Sequence, residues 1–243
     1  MASISVDEVR GVVHRLFIAC SHASLRKEDE QKSQELAALL SRLSRIKKGA
    51  HLVDAAAGKS SVGLVAAELL PIGKLTVLER DARRVEACRA AQQRMTRSLP
   101  IDVRHADVAD PSAWPEAPDA VVALHACGSA ADLVIDRAIR SRARFVFVVP
   151  CCYGESIPFA ARAASVVAEM GFVADDLLRR RIGASLVDME RKLRLEAAGY
   201  ETELDEFVGA TVTPHNLIFS ARYTGADVRI RRAEARLAAL RGA

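Results

Sequence analysis

The sequence predicts an α/β fold, a doubly wound and mainly parallel sheet covered by helices on both faces and preceded by an N-terminal helical extension. Three observations predict it. Short apolar runs alternate with helical stretches from His51 to Met170, the order that joins parallel strands through crossover helices. The runs AVVAL (120–124) and FVFVV (145–149) are apolar without alternation, as central strands covered on both faces require. Acidic residues and a glycine fall where strands give way to helices, at Asp54, Gly58, Glu79 and Asp107, the edge at which such sheets bind ligands.

Helical spacing places a first helix over 5–20, with Val6, Val9, Val12, Val13, Leu16 and Phe17 on one side. A second runs over 28–46, where Leu36, Leu39, Leu40 and Leu43 recur among Lys, Gln, Glu and Arg, the stripe of a helix packed on something larger. Residues 1–48 therefore form the extension, and 49–225 the sheet domain. Strands are expected at HLVDA from His51, LTVLER from Leu75, IDVRHAD (101–107), DAVVALHA (119–126) and RFVFVVP (144–150). Helices connect them through VGLVAAELL, from Ala82 to Met95 and from Ala130 to Arg140, and another follows across Phe159 to Met170. The tail reads as a helix over Ser185–Ala198, a strand around 200–208, a strand at NLIFSARY (216–223) and an Arg-rich helix from Asp227 to Arg241, in the terminal segment 226–243. The last two strands are expected to pair as an antiparallel edge hairpin.

The 243 residues are 50% hydrophobic and 27% charged, with only 13 Gly and 8 Pro. That excludes disordered and collagen-like chains and leaves room for one principal core. A balance of 35 basic against 31 acidic residues, net +4, admits an RNA partner without establishing one. Five cysteines, at 20, 88, 127, 151 and 152, do not form the even framework of a small secreted protein, so a reducing cytoplasm is the expected setting. The opening residues include Asp7, Glu8, His14 and Arg15; no signal peptide is expected. No run approaches the roughly 20 apolar residues that cross a bilayer, so no membrane partner is expected.

DAAAGKSS (54–61) lies between the first sheet strand and its helix, where small residues let a ligand approach the backbone and a helix N-terminus offers free N–H groups. It is neither a P-loop, since Val53 stands five before Gly58, nor a GxGxxG fingerprint. Glu79 ends the second strand, where a carboxylate can accept from both ribose hydroxyls. Asp107 ends the third, where it would face an adenine amino group. Together Asp54, Gly58, Glu79 and Asp107 describe a pocket for an adenosine-bearing cofactor, although any one acid alone serves as well as a helix cap.

LHACG (124–128) and PCCYG (150–154) end two strands expected to be neighbours. His125, Cys127, Cys151 and Cys152 then converge, a nitrogen-plus-sulfur set able to bind Zn²⁺. Adjacent Cys151 and Cys152 point apart on an extended chain, so both reach one metal only if the chain turns there. Zinc is therefore an alternative and no metal ligand is assigned. A nucleophilic cysteine with His125 as base is the other alternative, but such a site has no need of the adenosine pocket. Cys20 and Cys88 fall on apolar helix faces and read as core residues.

DAAAGKSSVGLVAAELL, VVALHACGSAADLVIDRAI, VVPCCYG and TPHNLIFSAR, spread over roughly 32–223, together resemble class I S-adenosylmethionine (SAM)-dependent methyltransferases. The resemblance is to the methyltransferase-like group that includes the acceptor-stem tRNA 2'-O-methyltransferases. It implies a Rossmann-like seven-stranded sheet and transfer of a sulfonium methyl group to oxygen or nitrogen. By resemblance, Asp54, Ala56 and Gly58 pass the methionine part of the cofactor, Glu79 holds the ribose, and Asp107 and Val108 flank the adenine. His125, Ala126 and Cys127 face the reactive methyl, with Cys151, Cys152 and Tyr153 across from it. Ala56 replaces the customary first glycine, Tyr153 stands where the tRNA-modifying relatives have histidine, and their auxiliary zinc segments have no counterpart.

The expected function is SAM-dependent methyl transfer to an RNA hydroxyl or base. His125 is the expected base, since a histidine can be neutral near pH 7, and Tyr153 is expected to orient the acceptor. Arg26, Lys27, Lys32, Arg42, Arg45, Lys47, Lys48 and Arg179 to Arg181 are the expected phosphate contacts. A noncatalytic SAM- or RNA-binding scaffold is the competing reading.

Overall fold

A computed structural model describes residues 4–19, 26–171 and 175–242; the expectation for Cys20 lies outside them. Helix α1 (Val6–Val13) starts at a capping box in which the Ser5 hydroxyl accepts from the Glu8 N–H and the Glu8 carboxylate accepts from the Ser5 N–H, satisfying two donors at the helix start. The chain then widens into a π-helical stretch over His14–Ile18 rather than continuing as one regular helix.

Helix α2 (Lys27–Leu43) buries the expected stripe: Leu36, Leu39, Leu40 and Leu43 are fully inaccessible. They share one cluster with Val9 and Leu16 and with Leu52, Val122, Phe147 and Val149 of the sheet. The helical extension is thus part of the principal core.

The sheet comprises β1 (His51–Ala55), β2 (Lys74–Glu79), β3 (Ile101–His105), β4 (Ala120–Ala126), β5 (Phe145–Pro150), β6 (Tyr200–Glu206) and β7 (Leu217–Tyr223), in the order β3-β2-β1-β4-β5-β7-β6. The first five strands are parallel, and β7 runs antiparallel between β5 and β6. The tail hairpin therefore adds to the sheet through its second strand, leaving β6 at the edge.

Helices α3 (Ser61–Leu69), α4 (Ala82–Gln92), α5 (Ala130–Arg140), α6 (Ala160–Glu169), α7 (Asp176–Ala197) and α8 (Asp227–Arg241) complete the fold. Val121, Ala123, Val146 and Val148 join α5's Val134 and Ile135 in a second cluster. Their neighbours Val122, Phe147 and Val149 join the first. Burial on both faces is the physical reason these strands lack alternation.

Two features position the site. The strand order reverses between β1 and β4, so Asp54 and His125 come to the crevice where open α/β sheets hold ligands. Pairing of β4 with β5 runs Leu124 to Val149 and then Ala126 to Pro150, so His125 is the extra residue of a bulge. Its φ of 59° is left-handed, a conformation uncommon for residues other than glycine and found disproportionately at functional sites.

Candidate functional site

At the end of β1, Asp54 is 1% exposed. Its carboxylate accepts from the Ser60 hydroxyl at 2.7 Å and from the Gly63 N–H at 2.8 Å. Burial pushes its pKa up to about 7, against the pull of those two hydrogen bonds and of the Lys32 charge. Gly63 is required here, because a Cβ would stand 2.7 Å from the Ser60 hydroxyl and 2.8 Å from the Asp54 carboxylate. The intervening loop bends through left-handed backbone at Ala56, Gly58 and Ser60. Glu79, at the end of β2, grips the same loop: one oxygen accepts from the Gly58 N–H at 2.6 Å and the other from the Asp81 N–H at 2.8 Å.

Asp107 accepts from the Ala109 N–H at 2.8 Å and stands 3.6 Å from the Arg80 guanidinium. Val108 is buried, and its carbonyl accepts from the Trp114 indole at 2.9 Å. This set fits an adenosine-bearing cofactor. A Cβ on Gly58 would meet nothing within 4 Å, so the loop borders open space, and each Glu79 oxygen retains a lone pair after accepting one N–H.

A partner that the sequence did not reveal comes from α2. His125 Nε2 lies 3.1 Å from both oxygens of Glu35, which is 6% exposed. Lys32 Nζ lies 3.5 Å from the same carboxylate. Burial opposes ionisation of Glu35, but the bond with His125 and the Lys32 charge outweigh it and hold its pKa below the usual value. Desolvation in turn lowers the pKa of Lys32, against the attraction of Glu35 and Asp54. Lys32 is thus drawn toward the site's carboxylates. The only sequence signal for Glu35 was its place beside Leu36 on the helix that packs inward.

Tyr153 donates its hydroxyl to Asp188 of α7 at 2.7 Å, and the Arg191 guanidinium lies 5.6 Å from its ring centre. Burial and the Asp188 charge push the Tyr153 hydroxyl's pKa well up. The sulfurs of Cys127, Cys151 and Cys152 lie within 4.8 Å of one another. His125, expected to join them, stands outside this group with its Nε2 on Glu35. Burial raises the Cys151 pKa, reinforced by Cys127 and Cys152. Cys88 is fully buried, as its helix face predicts. Among the described residues no helix is long and apolar enough to cross a membrane.

A protein family described as "Methyltransferase domain" matches residues 26–156, more than half of the chain. A "Glutathione S-transferase C-terminal domain-containing protein" of Xenopus laevis is 29% identical over 208 aligned residues, covering 76% of this chain and 33% of that protein. A homolog of that protein from Drosophila pseudoobscura pseudoobscura is 26% identical over 233 residues, covering 84% and 39% respectively. The chain thus spans about a third of the length of these curated relatives.

Among solved structures, magnesium protoporphyrin IX methyltransferase of Synechocystis PCC 6803 superposes with a TM-score of 0.53 at 12% identity, covering 90% of this chain and 93% of that one. The fibrillarin pre-rRNA processing protein of Methanococcus jannaschii gives 0.51 at 16% identity, covering 79% and 75%. These likenesses show a shared fold. With the seven-stranded sheet and the family match in place, the chain belongs to the methyltransferase-domain family and has the fold of the class I SAM-dependent methyltransferases.

Proposed function

We propose that this chain transfers the methyl group of SAM to a hydroxyl of RNA, with His125 as the proton acceptor and Glu35 as its positioning residue. The observation that carries this reading is the His125–Glu35 pair at the bulged end of β4. A carboxylate only accepts, so Nε2 carries a proton, and in the neutral ring Nδ1 then holds the free lone pair. That pairing fixes tautomer and orientation as a buried acid does for a catalytic histidine.

When bound, the cofactor supplies a methyl group on a sulfur that leaves readily. The protein's task is then in-line placement of the acceptor and removal of one proton. The Asp54–Ser60–Gly63 latch sets the loop, Ala56 and Gly58 border the methionine part, Glu79 takes the ribose, and Asp107 with Val108 takes the adenine. His125 Nδ1 accepts the hydroxyl proton as the oxygen–carbon bond forms. Tyr153, its hydroxyl held by Asp188, meets the acceptor with its ring, which is part of a side chain 38% exposed.

RNA as acceptor is supported by exposed Arg26, Lys27, Lys48, Arg180 and Arg181 and by the fold shared with a pre-rRNA processing protein. Other cations expected to touch phosphate face acids instead: Arg42 with Asp205 at 2.7 Å, Lys47 with Asp119 at 2.7 Å, and Arg45 with Glu203 at 4.0 Å.

The test incubates the purified chain with methyl-labelled SAM and separate RNA, protein and small-molecule fractions. Label in RNA that survives base removal and resides on the sugar is the expected result. Label in bases only, in another fraction alone, or cofactor binding with no transfer to any fraction would each reject it.

A further inference from the structure

Three thiols meet at the lip of the site without a role in the reading above. Cys127 leaves β4 one residue after the Ala126–Pro150 pair, and Cys151 leaves β5 at the same level. The β4 bulge sets this register: with regular pairing continued from Leu124–Val149, Ala126 would stand level with Cys151, and Cys127 would come one step later and on the opposite face from Cys151. The two loops stay pressed together beyond that point, since a Cβ on Gly128 would stand 3.0 Å from the Ser156 hydroxyl. The chain also turns after Pro150, so neighbouring Cys151 and Cys152 bring their sulfurs to 3.5 Å rather than pointing apart. All three sulfurs fall within 4.8 Å of one another, with Cys127 and Cys152 exposed and Cys151 buried.

We propose that Cys127, Cys151 and Cys152 are the three protein ligands of one Zn²⁺ ion, with the fourth position open to solvent at the rim of the candidate methyl-transfer site. Zinc–sulfur bonds of about 2.3 Å in a tetrahedral arrangement set sulfurs roughly 3.8 Å apart. The sulfurs reach that spacing with displacements of no more than about 1 Å. An all-sulfur donor set favours a soft or borderline cation over Mg²⁺ or Ca²⁺, which take oxygen. Three protein ligands with one free position is the pattern of zinc sites that exchange a small ligand, whereas purely structural sites are closed by four. Each cysteine binds as a thiolate and releases one proton on metal binding. The proposal is independent of RNA methylation, because the ligands are not the groups assigned to proton removal or cofactor binding.

The experiment is competition between the reduced, metal-free chain and a chromophoric chelator for Zn²⁺, repeated with Co²⁺ to read coordination from its visible spectrum. One equivalent of Zn²⁺ per chain and an intense tetrahedral, thiolate-type Co²⁺ spectrum are expected. Cys127→Ser and Cys152→Ser should each weaken binding by more than about 100-fold, beyond what losing an outer-shell partner costs. Cys88→Ser should leave the affinity unchanged.

Because Cys127 and Cys152 are exposed, their variants carry the test even where Cys151→Ser fails to fold; circular dichroism checks each fold. Zn²⁺ affinity unchanged in both exposed variants, a weak octahedral Co²⁺ spectrum, or no Zn²⁺ uptake by the reduced wild-type chain would overturn the proposal.

Discussion

Asp54 joins local chemistry to stability. Its carboxyl prefers the protonated form in the folded chain, with a pKa of about 7 against 3.8 for the free group. The folded state then binds more protons than the unfolded state between about pH 4 and 7, so this group's contribution to stability falls as pH rises through that window and is flat above it. Asp54→Asn keeps an oxygen for Ser60 and Gly63 but cannot titrate. Urea unfolding of both proteins across pH 4 to 8 should show the wild type losing up to about 4 kcal/mol relative to the variant as pH rises; parallel curves would contradict this. Gly63→Ala drives a Cβ into the Ser60 and Asp54 side chains. It should lower stability by about 1–3 kcal/mol and weaken SAM binding measured by calorimetry. At His125, the partner matters as much as the ring: Glu35→Gln should lower turnover by about 100-fold or more while SAM affinity stays near wild type.

Among the elements, α7 shows what sequence patterning could and could not disclose. The helix begins at Asp176, nine positions ahead of the expected Ser185, after Asp175 caps it by accepting from the Leu178 N–H at 2.9 Å. Its first turns are exposed, with Leu177 55% accessible, so no buried stripe marks them. Farther along, Arg191 is fully buried, 2.7 Å from Asp132 and 3.4 Å from Asp188, a burial that no apolar pattern in ERKLRLE marks. Burial raises the Asp188 pKa, opposed by Tyr153 and Arg191. Arg191→Met removes the one cation shared by the two carboxylates, leaving Asp132 to Arg194 and Asp188 to the Tyr153 hydroxyl, and should cost about 3–5 kcal/mol in denaturant unfolding; a loss below about 1 kcal/mol would show that the network is slack.

Strands β4 and β5 were legible because burial on both faces leaves unbroken apolar runs, whereas β3, at the sheet edge and only partly buried, alternates as IDVRH. The acids at their ends were legible because a strand end in such a sheet faces the ligand crevice. Glu35 was hidden because its partner lies ninety residues away in the chain. The convergence of the cysteines was visible in part, but the bulge that moves His125 onto Glu35 and away from the sulfurs has no mark in LHACG.

At the scale of the whole molecule, the α1–α2 extension is built into the principal core and delivers Glu35 and Lys32 to the sheet's ligand edge. The parallel strands, the bulge and α2 therefore act as one frame around the site. RNA binding by this frame should be salt-dependent. Arg180→Ala with Arg181→Ala should reduce the slope of log affinity against log salt by about 1.4 if both touch single-stranded phosphates; an unchanged slope would remove α7 from the interface.

The proposed function turns on one step, removal of the acceptor's proton by His125 held by buried Glu35. It is tested most directly by single-turnover transfer of labelled methyl from saturating SAM to RNA, comparing wild type with His125→Ala. The rate in the variant should be at least about 100-fold slower, with SAM affinity retained by calorimetry. Equal single-turnover rates would contradict it.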